Sequence, residues 1–92
     1  MTDDLQYIAT IDTNIQALID WMAGQSQSLT LNYGEDTGAW ECSWIVAGQR
    51  HTAVSYGLLI AVREALRSAG LVLQATEDGR IDICRRIHEV TA

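Results

Sequence analysis

The 92-residue sequence contains no lysine, so its positive charge comes entirely from six arginines. A chain without lysine side chains has no ε-amine for Schiff-base chemistry. No G-x-x-x-x-G-K-[ST], G-x-G-x-x-G or H-E-x-x-H pattern occurs, which removes the common phosphate-cradling and zinc-hydrolase signatures. Only two cysteines are present, 42 positions apart at Cys42 and Cys84, too few for a disulfide scaffold. No uninterrupted apolar run approaches the roughly 18 to 20 residues that cross a bilayer. The opening Met-Thr-Asp-Asp is acidic where a secretory signal is basic. These absences point to a cytoplasmic protein with reduced thiols, no membrane span and no catalytic motif.

A length of 92 residues supports a single domain spanning 1–92, and 48% apolar with 20% charged residues is a globular composition. Twelve acidic residues oppose the six arginines, giving a net charge of −6 and an isoelectric point near 4.5. The placement is one-sided. Residues 1–48 carry Asp3, Asp4, Asp12, Asp20, Glu35, Asp36 and Glu41 and no basic residue, whereas the remainder sets all six arginines against five acids. Such a chain lacks the basic footprint of direct nucleic-acid binding, and its acidic half suits a basic partner.

Apolar residues at Leu5, Ile8, Ile11, Ile15, Leu18, Ile19 and Met22 recur at helical spacing, with Thr2 as a candidate cap and Gly24 as a candidate stop. Leu5, Tyr7, Ala9 and Ile11 also alternate as in a strand, which leaves residues 3–11 open and predicts a helix over 12–23. After a polar connector at 25–28, Leu29, Leu31 and Tyr33 alternate as a strand, followed by a turn over Gly34–Gly38. The next strand places Trp40, Cys42, Trp44 and Val46 on one face, with Trp44 central and buried. Residues 48–51 read as a loop, and Val54, Leu58, Ala61, Val62, Ala65 and Leu66 predict a second helix over 52–69, closed by Gly70.

The segments 71–76 and 80–87 form a hairpin. A two-residue Asp-Gly turn sets Gln74 opposite Ile83 and mixes polar with apolar residues on both faces. A three-residue loop with Gly79 left-handed sets Leu73 opposite Ile83, Ala75 opposite Ile81 and Gln74 opposite Asp82, so the longer loop is favoured. The expected fold is α+β, two helices packed on a four-stranded antiparallel sheet in the order α-β-β-α-β-β.

Chemistry-bearing residues are sparse. Cys42, His51, Cys84 and His88 are zinc-type ligands, yet Cys84 and His88 fall about 13 Å apart along one strand and no pair has knuckle spacing, so no metal or other cofactor is expected. Nothing basic adjoins either thiol to activate it. Glu35, Asp36 and Glu41 sit in and beside a glycine-flanked turn, a solvated setting and not that of an acid-base pair. Arg63 and Arg67 lie one turn apart on a helix, a spacing that serves ordinary surface pairing or a docking face. Among the tryptophans, Trp21, Trp40 and Trp44 read as core, with Trp40 beside the acidic turn the best candidate for exposure.

The aromatic strand AWECSWIVAG and the alanine-rich helix VSYGLLIAVREALRSAG, in one small acidic α+β domain, resemble the phage-encoded anti-CRISPR proteins that inhibit the type I-F CRISPR-Cas surveillance complex. The resemblance covers most of the chain and transfers no catalytic residue. It implies a non-enzymatic inhibitor in the host bacterial cytoplasm that binds Cas proteins at basic surfaces meant for nucleic acid, blocking target DNA recognition or hybridisation. The partner-binding residues expected are Glu35, Asp36, Trp40, Glu41, Arg63 and Arg67. The alternative is a small phage structural or regulatory module that self-associates through a sheet edge.

Overall fold

A computed structural model describes residues 4–87 as β1 (Asp4–Asp12), α1 (Ile15–Gln25), β2 (Ser28–Gly34), β3 (Ala39–Val46), β4 (Gln49–Ser55), α2 (Leu58–Ser68), β5 (Leu71–Ala75) and β6 (Arg80–Ile87). The class is α+β. The single four-stranded sheet expected from the sequence is replaced by two three-stranded antiparallel sheets, ordered β2-β3-β4 and β1-β6-β5. Two strands account for the difference, β4 and β1.

β4 occupies the segment expected to be a loop and the start of the second helix. Ala47 and Gly48 adopt φ of 52° and 77°, a two-residue left-handed turn that sets Val46 opposite Gln49 and returns the chain along β3. Helix α2 therefore begins at Leu58, six residues later than the sequence spacing suggests. In this sheet Leu29, Trp44 and His51 lie across from one another, as do Leu31, Cys42 and Ala53, on the face covered by α2. Trp44 is buried, as expected, and its Nε1–H donates to the Ala65 carbonyl of α2 at 3.0 Å. That bond satisfies the indole's one polar atom inside the core.

The β5-β6 hairpin has the register derived for the three-residue loop, with Leu73 opposite Ile83, Gln74 opposite Asp82 and Ala75 opposite Ile81. Gly79 is left-handed at φ 81°, and Thr76 N–H donates to the Arg80 carbonyl at 2.9 Å. Strand β1 pairs with the other side of β6, from Asp4 opposite Ile87 to Asp12 opposite Arg80. The open choice over residues 3–11 is thus a strand over 4–12, with a bulge between Tyr7 and Ala9. Helix α1 follows, with Asn14 as its cap, accepting Ala17 N–H at 2.7 Å. The candidate cap Thr2 lies outside the described residues, and Gly24 sits inside the helix.

Seen by pairing, the chain is two βββα modules. β2-β3-β4-α2 is continuous in sequence, while β5-β6-β1-α1 has the same order with β1 and α1 supplied from the other end of the chain. The two helices are equally long at 11 residues. One core joins the modules: Leu18 and Met22 of α1, Cys42 and Trp44 of β3, Ala61, Val62, Ala65 and Leu66 of α2, Leu71 of β5 and Ile83 of β6. Among the described residues no helix is long and apolar enough to cross a membrane.

Candidate functional site: an acidic and aromatic end

Register determines what meets at the open end of the first sheet. Gly34 pairs with Ala39 and Trp40 with Ser55, so the β2–β3 turn and the Tyr56–Gly57 link into α2 lie at the same end. The turn is tight. Gly38 N–H donates to the Gly34 carbonyl at 2.7 Å, and Thr37 Oγ1 accepts Ala39 N–H at 3.3 Å. Gly38 is left-handed at φ 71°, and a Cβ on Gly34 would lie 2.7 Å from Thr37 Oγ1. The glycines therefore fix this turn's shape, and Glu35 and Asp36 are held out in solvent at its tip.

The expected site residues divide into separate places. Glu41 is exposed on the outer face of β3, level with Asn32 and Val54. Trp40 necessarily points to the opposite face, where it is half-buried and packs on Tyr33 with ring centroids 5.0 Å apart at 51°. It supports the end from beneath instead of projecting beside Glu41. Arg63 and Arg67 occupy the exposed face of α2, leading away from the acidic turn. Ion pairs among the described residues join Arg67 to Glu64 at 3.5 Å and Arg80 to Asp12 at 3.8 Å, and neither involves Glu35, Asp36 or Glu41. Among the described residues, no arginine of the second half is thus ion-paired with Glu35, Asp36 or Glu41.

Five apolar or aromatic residues at this end are exposed, among them Tyr33, which the spacing read only as a strand residue, and Val54, which it placed on the apolar stripe of the second helix. Tyr33 is 52% exposed, Val54 62%, Tyr56 81%, Leu59 48% and Ile60 53%, out of seven such exposed residues described. Leu59 and Ile60 lie off the buried face of α2, which the spacing of Ala61, Val62, Ala65 and Leu66 defines. That surplus of apolar residues beyond the helical stripe is the signal the sequence held. A shallow depression of about 260 Å³ opens beside two of them, Tyr33 and Val54, and is also lined by Asn32, Thr37 and Glu41. Exposed apolar surface rimmed by charge is characteristic of protein interfaces, and tyrosine faces beside carboxylates provide both a π-face and a counter-charge for an arginine.

The cysteines and histidines do not converge. Cys42 lies in the first sheet against the core, and burial pushes its thiol up from the ordinary range, disfavouring the nucleophilic thiolate. Cys84 lies in the second sheet near Gln74, and His51 rests 6.3 Å from the Trp44 ring and 3.2 Å from the Ser68 hydroxyl. No group of three or more His, Cys, Asp or Glu among the described residues could hold a metal ion, and His88 falls outside them. No known protein family matches this chain, and neither does any curated protein or solved structure.

Proposed function

We propose that this protein is a non-enzymatic binding protein that docks its acidic and aromatic end on a basic surface built to hold nucleic acid. The observation that carries the reading is the combination of Glu35, Asp36 and Glu41, none in an ion pair among the described residues, with exposed Tyr33 and Val54 lining one depression with Glu41, and Tyr56, Leu59 and Ile60 exposed where the chain enters α2 at the same end. Carboxylates substitute for phosphates opposite arginine and lysine and steer association. The apolar residues supply the desolvated centre that a purely electrostatic contact lacks. The resemblance to type I-F anti-CRISPR proteins names the partner, a Cas surveillance complex whose target DNA would be excluded from its binding surface.

The test is the triple change Glu35→Gln, Asp36→Asn and Glu41→Gln. All three side chains are exposed, so the melting temperature should stay nearly unchanged. Affinity for the purified complex should fall at least tenfold, about 1.4 kcal/mol, with a shallower salt dependence. Unchanged affinity removes the acidic end from the interface, and no binding of the wild-type chain removes the partner. The second reading, self-association, draws on the open edges at β2, β4, β1 and β5, which expose strand backbone. It predicts a concentration-dependent dimer in sedimentation without any partner.

A further inference from the structure

We infer that the hollow at the junction of the two modules is a binding site for a short aliphatic carboxylate. It measures about 80 Å³, and its walls come from both modules. The apolar walls are Ile8 of β1, Trp21 of α1, Trp44 and Val46 of β3 and Leu71 of β5. Gln25 of α1 and Arg85 of β6 supply the polar groups.

The fold explains how these residues meet. Trp44 and Val46 alternate onto the same face of β3, the face that carries the core. In the second sheet Leu71 pairs with Arg85 across β5 and β6, so the two side chains stand beside each other on one face. Leu71 is buried there, whereas Arg85 is exposed. Trp21 and Gln25 lie four residues apart on α1, which places them on the same side of the helix. Along the inward row of β6 the chain passes from buried Ile83 to Arg85, and at that step the core gives way to a hollow with a cation in its lining.

Unused donors select the ligand. Trp44 Nε1–H is already given to the Ala65 carbonyl. Arg85, by contrast, makes no ion pair or side-chain hydrogen bond among the described residues, and the same holds for the Trp21 indole N–H and the Gln25 amide. The lining holds one cation and no carboxylate, in a chain of net charge −6. A single carboxylate matches that single cation, since a guanidinium fork meets its two oxygens in parallel and leaves lone pairs for an amide or indole donor. A phosphate dianion would bring a second charge against indole and aliphatic walls with no cation to offset it. The same walls receive the other end of the ligand. A cavity of about 150 Å³ holds benzene, so about 80 Å³ holds an apolar body of roughly three or four carbons. The inference depends on neither the acidic end nor the partner proposed for it.

The probe is isovalerate, whose isobutyl group is of that size, titrated into the full chain while tryptophan fluorescence and the methyl NMR signals of Ile8, Val46 and Leu71 are followed. Saturable changes confined to this hollow are expected, with affinity about tenfold weaker in Arg85→Gln. Ala69 also lines the hollow, and Ala69→Leu should abolish binding by taking up its space while Arg85 stays in place. Arg85 is exposed, so Arg85→Gln keeps the comparison should Ala69→Leu misfold. The alcohol and the amine with the same carbon skeleton should each bind about tenfold more weakly than the acid. Equal binding of the alcohol overturns the carboxylate assignment. Changes reproduced by chloride at equal ionic strength, or unaltered in Arg85→Gln, overturn the site. Tighter binding of N-acetyl-leucine, which stands for the C-terminal carboxylate of a peptide, or of decanoate overturns the assignment to a short free acid.

Discussion

In the β2-β3-β4-α2 module the chain runs without a break through the Ala47–Gly48 turn, whereas in the β5-β6-β1-α1 module β6 and β1 meet from distant parts of the sequence. Their helices are held to the core in different ways. α2 buries Ala61, Val62, Ala65 and Leu66, small and medium side chains that let it lie close to its sheet, and its Gly57 cap forms no side-chain bond. α1 buries only Leu18 and Met22 and has Asn14 bonding its first turn. Where β3 places Trp44 in the core, β6 places exposed Arg85 at the matching step of its hairpin. One module depends mainly on burial, and the other depends more on local hydrogen bonding.

The largest test of that contrast is the pair Trp44→Ala and Arg85→Ala. The first removes a fully buried ring and its bond to Ala65, and should cost about 3 to 5 kcal/mol in urea unfolding. The second should stay within about 0.5 kcal/mol, as exposed substitutions do. Similar losses at both positions would break the comparison. Asn14→Ala comes next: losing the cap should cost about 1 kcal/mol, read as faster amide exchange in the first turn of α1. Ala47→Asn should stabilise by about 0.5 to 1 kcal/mol, because asparagine tolerates the left-handed φ of 52° better than alanine and joins Gly48 in a favoured two-residue turn.

The smallest effect concerns the hairpin of the split module. The hydrogen bond from the Thr76 hydroxyl, with help from the Arg80 charge, holds the Asp78 carboxyl below its ordinary range. A carboxyl lowered in the folded state contributes stability above its unfolded pKa, and that contribution disappears as pH falls through the folded value. An NMR titration should show Asp78 protonating at lower pH than a free aspartate, and Thr76→Val should return it toward the ordinary value.

Much of the fold is legible from residues. The β5-β6 register follows from pairing Leu73 with Ile83, because only that choice keeps one face apolar. β4 was hidden for two reasons. Its turn has alanine where asparagine or aspartate usually signals a hairpin, and the strand's covered face carries His51, Ala53 and Ser55, which give no apolar alternation. Val54 and Leu58 happen to extend the stripe of α2 backwards, and this mimics an earlier helix start. In β1 the bulge explains the double pattern. An extra residue at Ile8 lets both Ile8 and Ile11 pack on the core, a spacing of three that imitates a helix inside a strand. At the candidate site the carboxylates were readable as charge, but the exposure of Tyr33 and Tyr56 depends on which strands end together, and that is a tertiary fact.

The pairing of Asp4 with Ile87 at one end of the β1–β6 ladder also fixes how the protein responds to force. Tension applied through those two residues pulls the strands apart sideways, along the direction of the ladder's hydrogen bonds, so the bonds bear the load one after another instead of together. The β1–β6 ladder behaves as a zipper under such a pull, opening stepwise from Asp4 toward Asp12. A translocating machine gripping either of these residues would meet little mechanical resistance in stripping β1 from the second sheet, and removal of that strand uncovers one side of Ile83 in the shared core.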